Sequence, residues 1–505
     1  MRVTNSMIFG NSLNNIHRNV RHVNDLVRQI ETKKRIGRPS DDPILAARSL
    51  RYRTILEETE QFLSNANGGL AWMRSSESAF MNMLYYEDSA LQEINRRLVA
   101  AADGSHELSD RLAMVTEMRE FFDQIALEMN QAYMGRYVFS GFFTNQPPVL
   151  TTDMERSFII TQQIHSQNIM SLRSFQNLPP AGRQPVVHEI NVINLPYRDL
   201  DPNTLEIPGF HILSFDIMDE NAYQPAATVG DVRALLLADP NHFGTPPLTI
   251  PADVSDETPI LHFIPARGEL VMHNDTVTNF PRTVDVTYRL DSPRAGELNP
   301  VVYFYAREID PTTGNFLEPL STHTFNTSDH QIRMEMAAGN HVTVNALASE
   351  VFTPAMFADL RALFEAVEAV HNTASSRDKV VAYFEDLGHL DDDLANEVER
   401  FMTNETGRIQ SVMHDRFSVM LGHFTSHVDI VQREHASLGS RMNTIDMLVV
   451  RLEEEEISYT ALLSANEDTP LQDAIMRKNM AEAAFQAALR ANAMTVQLSL
   501  VNFLR

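Results

Sequence analysis

The chain reads as an α + β multidomain protein, with a long coiled-coil-like helical bundle formed by both termini and a mostly β domain inserted between them. Three observations lead there. Apolar residues recur at alternating steps of four and three at both ends of the sequence. Of the 24 prolines, 20 fall between Pro147 and Pro319, a region that long helices cannot cross. The same region carries short stretches of alternating apolar and polar residues, separated by turn-rich segments.

The first element is a helix whose seam runs Phe9, Leu13, Ile16, Val20, Val23, Val27, Ile30. It stops at "KRIGRPSDDPILAAR", where Gly37 is expected to admit a left-handed conformation and Pro39 forbids continuation. Ser40, Asp41 and Asp42 are then expected to cap the next helix, with Pro43 in its first turn, where a missing N–H costs nothing. That aspartate pair reads as a helix start, not as an acid/base dyad, since no partnered histidine or metal cluster lies near it in sequence. The second seam runs Leu56, Leu63, Ala66, Leu70, Met73, Phe80, Leu84, Leu91, Ile94, Leu98, with Glu77 and Glu87 in core slots. Asp103-Gly104 turns the chain, Ser109 is the expected cap, and Leu112, Val115, Phe122, Ala126 and Met129 complete a helical hairpin.

In the proline-rich middle, "FHILSFDI", "TVDVTYRL" and "VVYFYARE" read as strands and "DVRALLLA" as one short helix. "QIRMEMAAGNHVTVNA" reads as a hairpin turning at Gly339-Asn340. Helical periodicity returns near Phe357. Val431, His435, Leu438, Met442, Ile445, Val449 and Leu452 form a further seam. The last helix has two apolar stripes: Met480, Ala484, Ala487, Ala491, Met494, Leu498 and Val501 on one side, and Phe485, Leu489, Val496, Leu500 and Phe503 on the other. One partner helix cannot cover both, and each Leu, Ile or Phe contributes about 1.5–3 kcal/mol only once it is buried.

Composition narrows the function. With 41 basic and 67 acidic side chains the formal charge is -26, so neither nucleic acid nor an anionic membrane is an expected partner. The chain has no cysteine, which removes disulfides and thiolate chemistry, and no apolar run long enough to span a bilayer. The first 30 residues lack the apolar core of a cleavable signal peptide, so export is expected by another route. No glycine-rich phosphate loop and no "HExxH" occurs, and no catalytic, cofactor-binding or metal residue is assigned. His423 and His427 are spaced like a ligand pair but lack a third ligand in the sequence, and "RLEEEEISY" and "LDDDLANEVE" read as solvated faces. Tyr137 and Phe139 alternate on a strand, where they are expected to pack the join between the helical layer and the inserted domain.

Four segments in order, "RPSDDPILAA", "GRYVFSG" at 135–141, "LGSRMNTID" at 438–446 and the ending "QLSLVNFLR", resemble the flagellin family and, within it, the hook-filament junction branch. The resemblance covers about 1–145 and 330–505 and leaves the middle without a motif. Pro43 and the aromatic "GRYVFSG" favour that branch over the alternative, a flagellin-type filament subunit. Thr469-Pro470 departs from the family's usual acidic and apolar residues, and the stretch at about 385–430 is longer than in compact members.

The resemblance implies a structural, non-enzymatic adaptor of the extracellular bacterial flagellum, exported by the type III route. Its implied partners are itself in a ring, the first hook-associated protein, flagellin and an export chaperone. The expected organisation is an inner layer of terminal helices at 1–36 and 472–505, a helical rod at 37–149 and 330–471, and a projecting domain at 150–329. On that plan the subunit-contact residues are Leu13, Ile16, Val20, Val23, Val27, Ile30, Met480, Met494, Leu498 and Val501. Phe485, Leu489, Val496, Leu500 and Phe503 are the expected chaperone surface.

Overall fold

A computed structural model of the chain describes residues 5–86, 89–103, 106, 108–176, 186–214, 259–272, 274–278, 280–316, 330–365, 367–368 and 392–503. In several stretches, 392–412 and 494–503 among them, the description is of backbone only. The architecture is α + β. The longer helices are α1 (Asn5–Thr32), α2 (Pro43–Leu84), α3 (Ala90–Ala101), α4 (Leu108–Met129), α5 (354–365), α6 (Asp392–Glu467) and α7 (Leu471–Phe503). The chain divides into two compact units, one made of Met1–Gly68, Met334–Val342 and Thr444–Arg505, the other of Gly69–Arg333 and Thr343–Asn443. This partition cuts through α2 and α6, so it differs from one drawn at linkers.

In the first unit α1 packs along α7, which brings the two chain ends together. The early part of α2 and the late part of α6 meet through Tyr52 and Tyr459, whose ring centroids are 6.5 Å apart. Asn466 donates from Nδ2 to the Ser49 hydroxyl at 2.7 Å and to the Leu45 carbonyl at 3.1 Å.

Among the described residues the second unit holds two sheets of three or more strands. β3 (Ser157–His165) lies between β10 (Tyr305–Ile309) and β9 (Thr283–Asp291), all antiparallel, with Ile160 opposite both Ala306 and Tyr288. The other sheet runs β4 (Met170–Gln176), β5 (Val186–Asn194), β8 (Glu269–Met272), β7 (Ile260–Ile264), β6 (His211–Ser214), with only β6 and β7 parallel. The alternation in "TVDVTYRL" becomes β9, whose Val284, Val286, Tyr288 and Leu290 face the core. Tyr197, Tyr288 and Phe304 form its aromatic centre, and the buried Tyr197 hydroxyl donates to the Leu298 carbonyl at 2.8 Å. Burial pushes the pKa of both tyrosines well above the usual value, so they act as neutral donors. Nearby helices share a second aromatic centre, with Phe122 against Phe352, Phe357 and Phe364 at 5.1–5.8 Å.

Several expectations are corrected. The second apolar seam is not one helix: α2 ends at Leu84, whose carbonyl accepts from Gln92 of α3 at 2.6 Å. Glu87, the Gly104 turn and "DVRALLLA" lie outside the described residues. Ser109 falls inside α4, which starts at Leu108. The first half of "VVYFYARE" is a one-turn helix, Pro300–Tyr303, because Asn299 caps it by accepting from the Val301 amide and Pro300 favours its first position. The hairpin β11 (Arg333–Ala337) and β12 (Asn340–Thr343) turns with Gly339 at φ 73°, a conformation that favours glycine.

Candidate assembly surface

Two features of the first unit bear on assembly: the contacts that fix its linkers and the apolar side chains it leaves uncovered. The two linkers of the first unit are clasped. α1 ends because Lys33 takes a left-handed conformation, φ 58°. The next residues then pair with the α6–α7 connection: the Arg35 amide donates to the Glu467 carbonyl at 2.7 Å, and the Thr469 amide to the Lys33 carbonyl at 2.9 Å. Lys34 Nζ donates to Asp468 at 2.7 Å and to Glu467 at 3.2 Å, and Arg53 reaches Glu467 at 2.7 Å.

Glu467 is buried, which by itself pushes its pKa up, yet hydrogen bonds from Arg53 and Lys34 hold it below the usual carboxylate value. The hydrogen bond from Lys34 also lowers Asp468, and Asp468 in turn raises Lys34. Neither carboxylate was legible as a site residue. The available signal was a basic linker, "KKRIGR", and an acidic one, "NEDTP", each beside a terminal helix.

The first linker departs from expectation in two ways. Gly37 is not left-handed; a side chain there would meet the Arg28 guanidinium at 3.0 Å, so its smallness admits that group. The aspartates divide the work. Asp42 caps α2, accepting from the Ile44 and Leu45 amides at 3.1 Å each, with Pro43 at the first helical position. Asp41 instead holds the loop, accepting from the Gly37 amide at 3.2 Å and the Arg38 amide at 2.9 Å and pairing with Arg28 at 3.4 Å. Ser40 is exposed and does not appear in the capping geometry.

On α1, Ile16, Val20, Val23, Val27 and Ile30 are half-buried, Leu13 is exposed and the side chain of Phe9 lies outside the described residues; among those described the buried one is Leu26, which the heptad seam omitted. On α7, Ala474 is buried and Phe485 half-buried, whereas Met480 is 57% and Leu489 43% exposed. The stripe assigned to subunit contact thus begins on an uncovered face, and the stripe assigned to a chaperone begins on a partly covered one. The side chains of Met494, Val496, Leu498, Leu500, Val501 and Phe503 lie outside the described residues. Further exposed apolar residues of this unit are Ile44, Leu50, Met447, Val450, Ile457, Leu462, Leu471, Ile475 and Met476. Against these, its buried apolar residues among those described are Leu26, Ala66, Met336, Ile445, Leu452 and Ala474. Single exposed apolar residues need no explanation, but rows of them along helices mark interaction surfaces.

In the second unit, Tyr137 and Phe139 do not share a strand face. β1 (Ala132–Tyr133) and β2 (Arg136–Tyr137) are two residues each, and Phe139 lies beyond, fully buried against Phe80 in an edge-on contact at 5.8 Å. His423 and His427 do converge, on the buried Asp359. His427 Nε2 donates to Asp359 Oδ2 at 3.0 Å, and Asn194 donates to Oδ1 at 3.0 Å. Burial raises the pKa of Asp359, but hydrogen bonding from the two histidines outweighs it and keeps the carboxyl ionised. Among the described residues no group of three or more acidic or histidine side chains is placed to hold a metal ion.

The family profile described as the bacterial flagellin N-terminal helical region matches residues 3–144. Flagellar hook-associated protein 3 of Salmonella typhimurium is 27% identical over 152 residues, 29% of this chain and 46% of that protein. Its namesake in Escherichia coli is 25% identical over 149 residues, again 29% and 46%. The chain thus spans about half the length of the curated relatives it matches. The solved flagellar junction protein of Legionella pneumophila overlaps 84% of this chain and 100% of its own, at 11% identity and a TM-score of 0.29, too low to bear on the arrangement here.

Proposed function

We propose that this chain is a structural subunit of the bacterial flagellum, seated between hook and filament, where it joins the hook-side protein to the flagellin filament. The observation that carries this reading is the similarity of about 150 residues of the chain to two proteins named flagellar hook-associated protein 3. The geometry supports an assembling role. Both chain ends pair as helices, their linkers are clasped, and apolar rows on the same unit remain for neighbours to cover.

On this reading copies of the chain form a ring, with the first hook-associated protein on one side and flagellin on the other. An export chaperone holds the terminal helix beforehand, and the chain leaves the cell by the flagellar route. Of the chaperone stripe, Phe485 is half-buried and Leu489 exposed, so Leu489 is the open end of that surface. Immunogold electron microscopy of whole flagella, with an antibody against residues 150–330, tests the main reading. Label confined to a band between hook and filament is the expected result. Label along the filament would make the chain a filament subunit, and no label on flagella would end the proposal.

A further inference from the structure

Two exposed faces of the first unit carry opposite charge. On α6, Met447, Val450, Glu454 and Ile457 recur at steps of three, four and three, turned away from the buried row Leu438, Met442, Ile445 and Leu452. Met447 is 69% and Ile457 71% exposed, and Glu453 stands exposed beside them. On the first turns of α2, Ile44, Arg48 and Arg51 form a matching row, with Ile44 67% exposed and both arginines open to solvent. Among the described residues none of Arg48, Arg51, Glu453 and Glu454 takes part in an ion pair, unlike Arg53 and Glu455, which are paired within the chain.

We propose that the Ile44–Arg48–Arg51 face of one copy docks on the Val450–Glu454–Ile457 face of a second copy. This rests on the reading of the chain as an assembling flagellar subunit and names the contact between neighbours. The occupant is another copy because both halves of the match, apolar row and opposite charge, belong to the same unit of the same chain. A chain of net charge -26 repels its own kind unless its contact faces are locally complementary. The contact is heterologous: each copy presents one face of each sign, so it repeats from subunit to subunit and builds a ring or helical array, not a closed pair. Ser49 sits opposite Asn466 and Tyr52 opposite Tyr459, so the two rows are about 12 residues out of step along the helices. At 1.5 Å per residue, neighbours are displaced axially by about 18 Å.

The cysteine-free sequence allows a direct test. Chains carrying Arg48→Cys and chains carrying Glu454→Cys, each with its own tag, are produced together in flagellated cells, and the purified flagella are oxidised. A disulfide between the two tags, absent when either variant is present alone, is the expected result. Arg48→Glu with Arg51→Glu should lower incorporation at least about tenfold, since like charges then face each other, and adding Glu453→Arg with Glu454→Arg should restore it. Disulfides formed by one variant alone, a cross-link to a different protein, or no restoration by the combined reversal would overturn the contact while the chain is still found in flagella. Absence of the unmodified chain from flagella would overturn the assembly reading and the contact with it.

Discussion

The two units solve burial differently. The unit with the sheets has a large aromatic core, in which Phe80, Phe139, Phe158, Phe263, Phe352, Phe417 and Phe424 are all nearly inaccessible, although Leu127, Met134 and Phe142 stay exposed, and the buried Glu269 pairs with Arg416 at 3.3 Å. Arg361 in the same unit donates to the carbonyls of Leu195, Pro196, Tyr197 and Arg267 at 3.0–3.3 Å. Among the described residues the unit of the chain ends has no buried aromatic side chain. It is held by helix pairing and a polar clasp, and it leaves apolar rows in solvent.

The comparison breaks first if core truncation is cheap. Phe80→Ala removes the partner of Phe139 and His435 and should cost about 3–5 kcal/mol, read as a lowered denaturation midpoint of the sheet-bearing unit. Asp359→Ala is next: it strands Asn194 and His427 without their acceptor and should cost about 1–3 kcal/mol, with Asp359→Asn costing less because it retains an acceptor oxygen.

In the other unit, Asp42→Ala should cost about 1 kcal/mol by freeing two amides at the start of α2, measured as earlier hydrogen exchange at Ile44 and Leu45. Glu467→Ala should cost about 1 kcal/mol or less, because Lys34 and Arg53 are largely solvated. The clasp also sharpens the comparison through pH. Glu467 and Asp468 have lowered pKa values in the folded chain, so their contribution is complete above the ordinary carboxylate range and is lost as pH falls below about 4. Protection of the 33–36 and 467–469 amides should therefore fade at acid pH. Smallest of all, Ile457→Ala should leave monomer stability within about 0.5 kcal/mol, since the side chain is already in water; a large loss would show that this face is covered within the chain.

Much of this was determined by the sequence itself. Heptad spacing marked α1, α2 and the late part of α6, because a helix that buries one stripe must repeat it every three to four residues. Proline confined long helices to the flanks, and "TVDVTYRL" showed its buried face by alternation. Asp42 and Pro43 were readable as a helix start because capping is local.

Only tertiary structure decided the rest. Whether Asp41 capped a helix or held a loop depended on where Arg28 and the Gly37 amide came to lie. That Lys34 would meet Glu467 and Asp468, some 433 residues away, depended on the chain ends pairing. Which α7 side chains would be covered depended on helix rotation, since both stripes are apolar, and Ala474, outside both, is the buried one. Local propensity is written in neighbouring residues; long-range pairing is settled by which faces find cover, and that is a property of the folded whole.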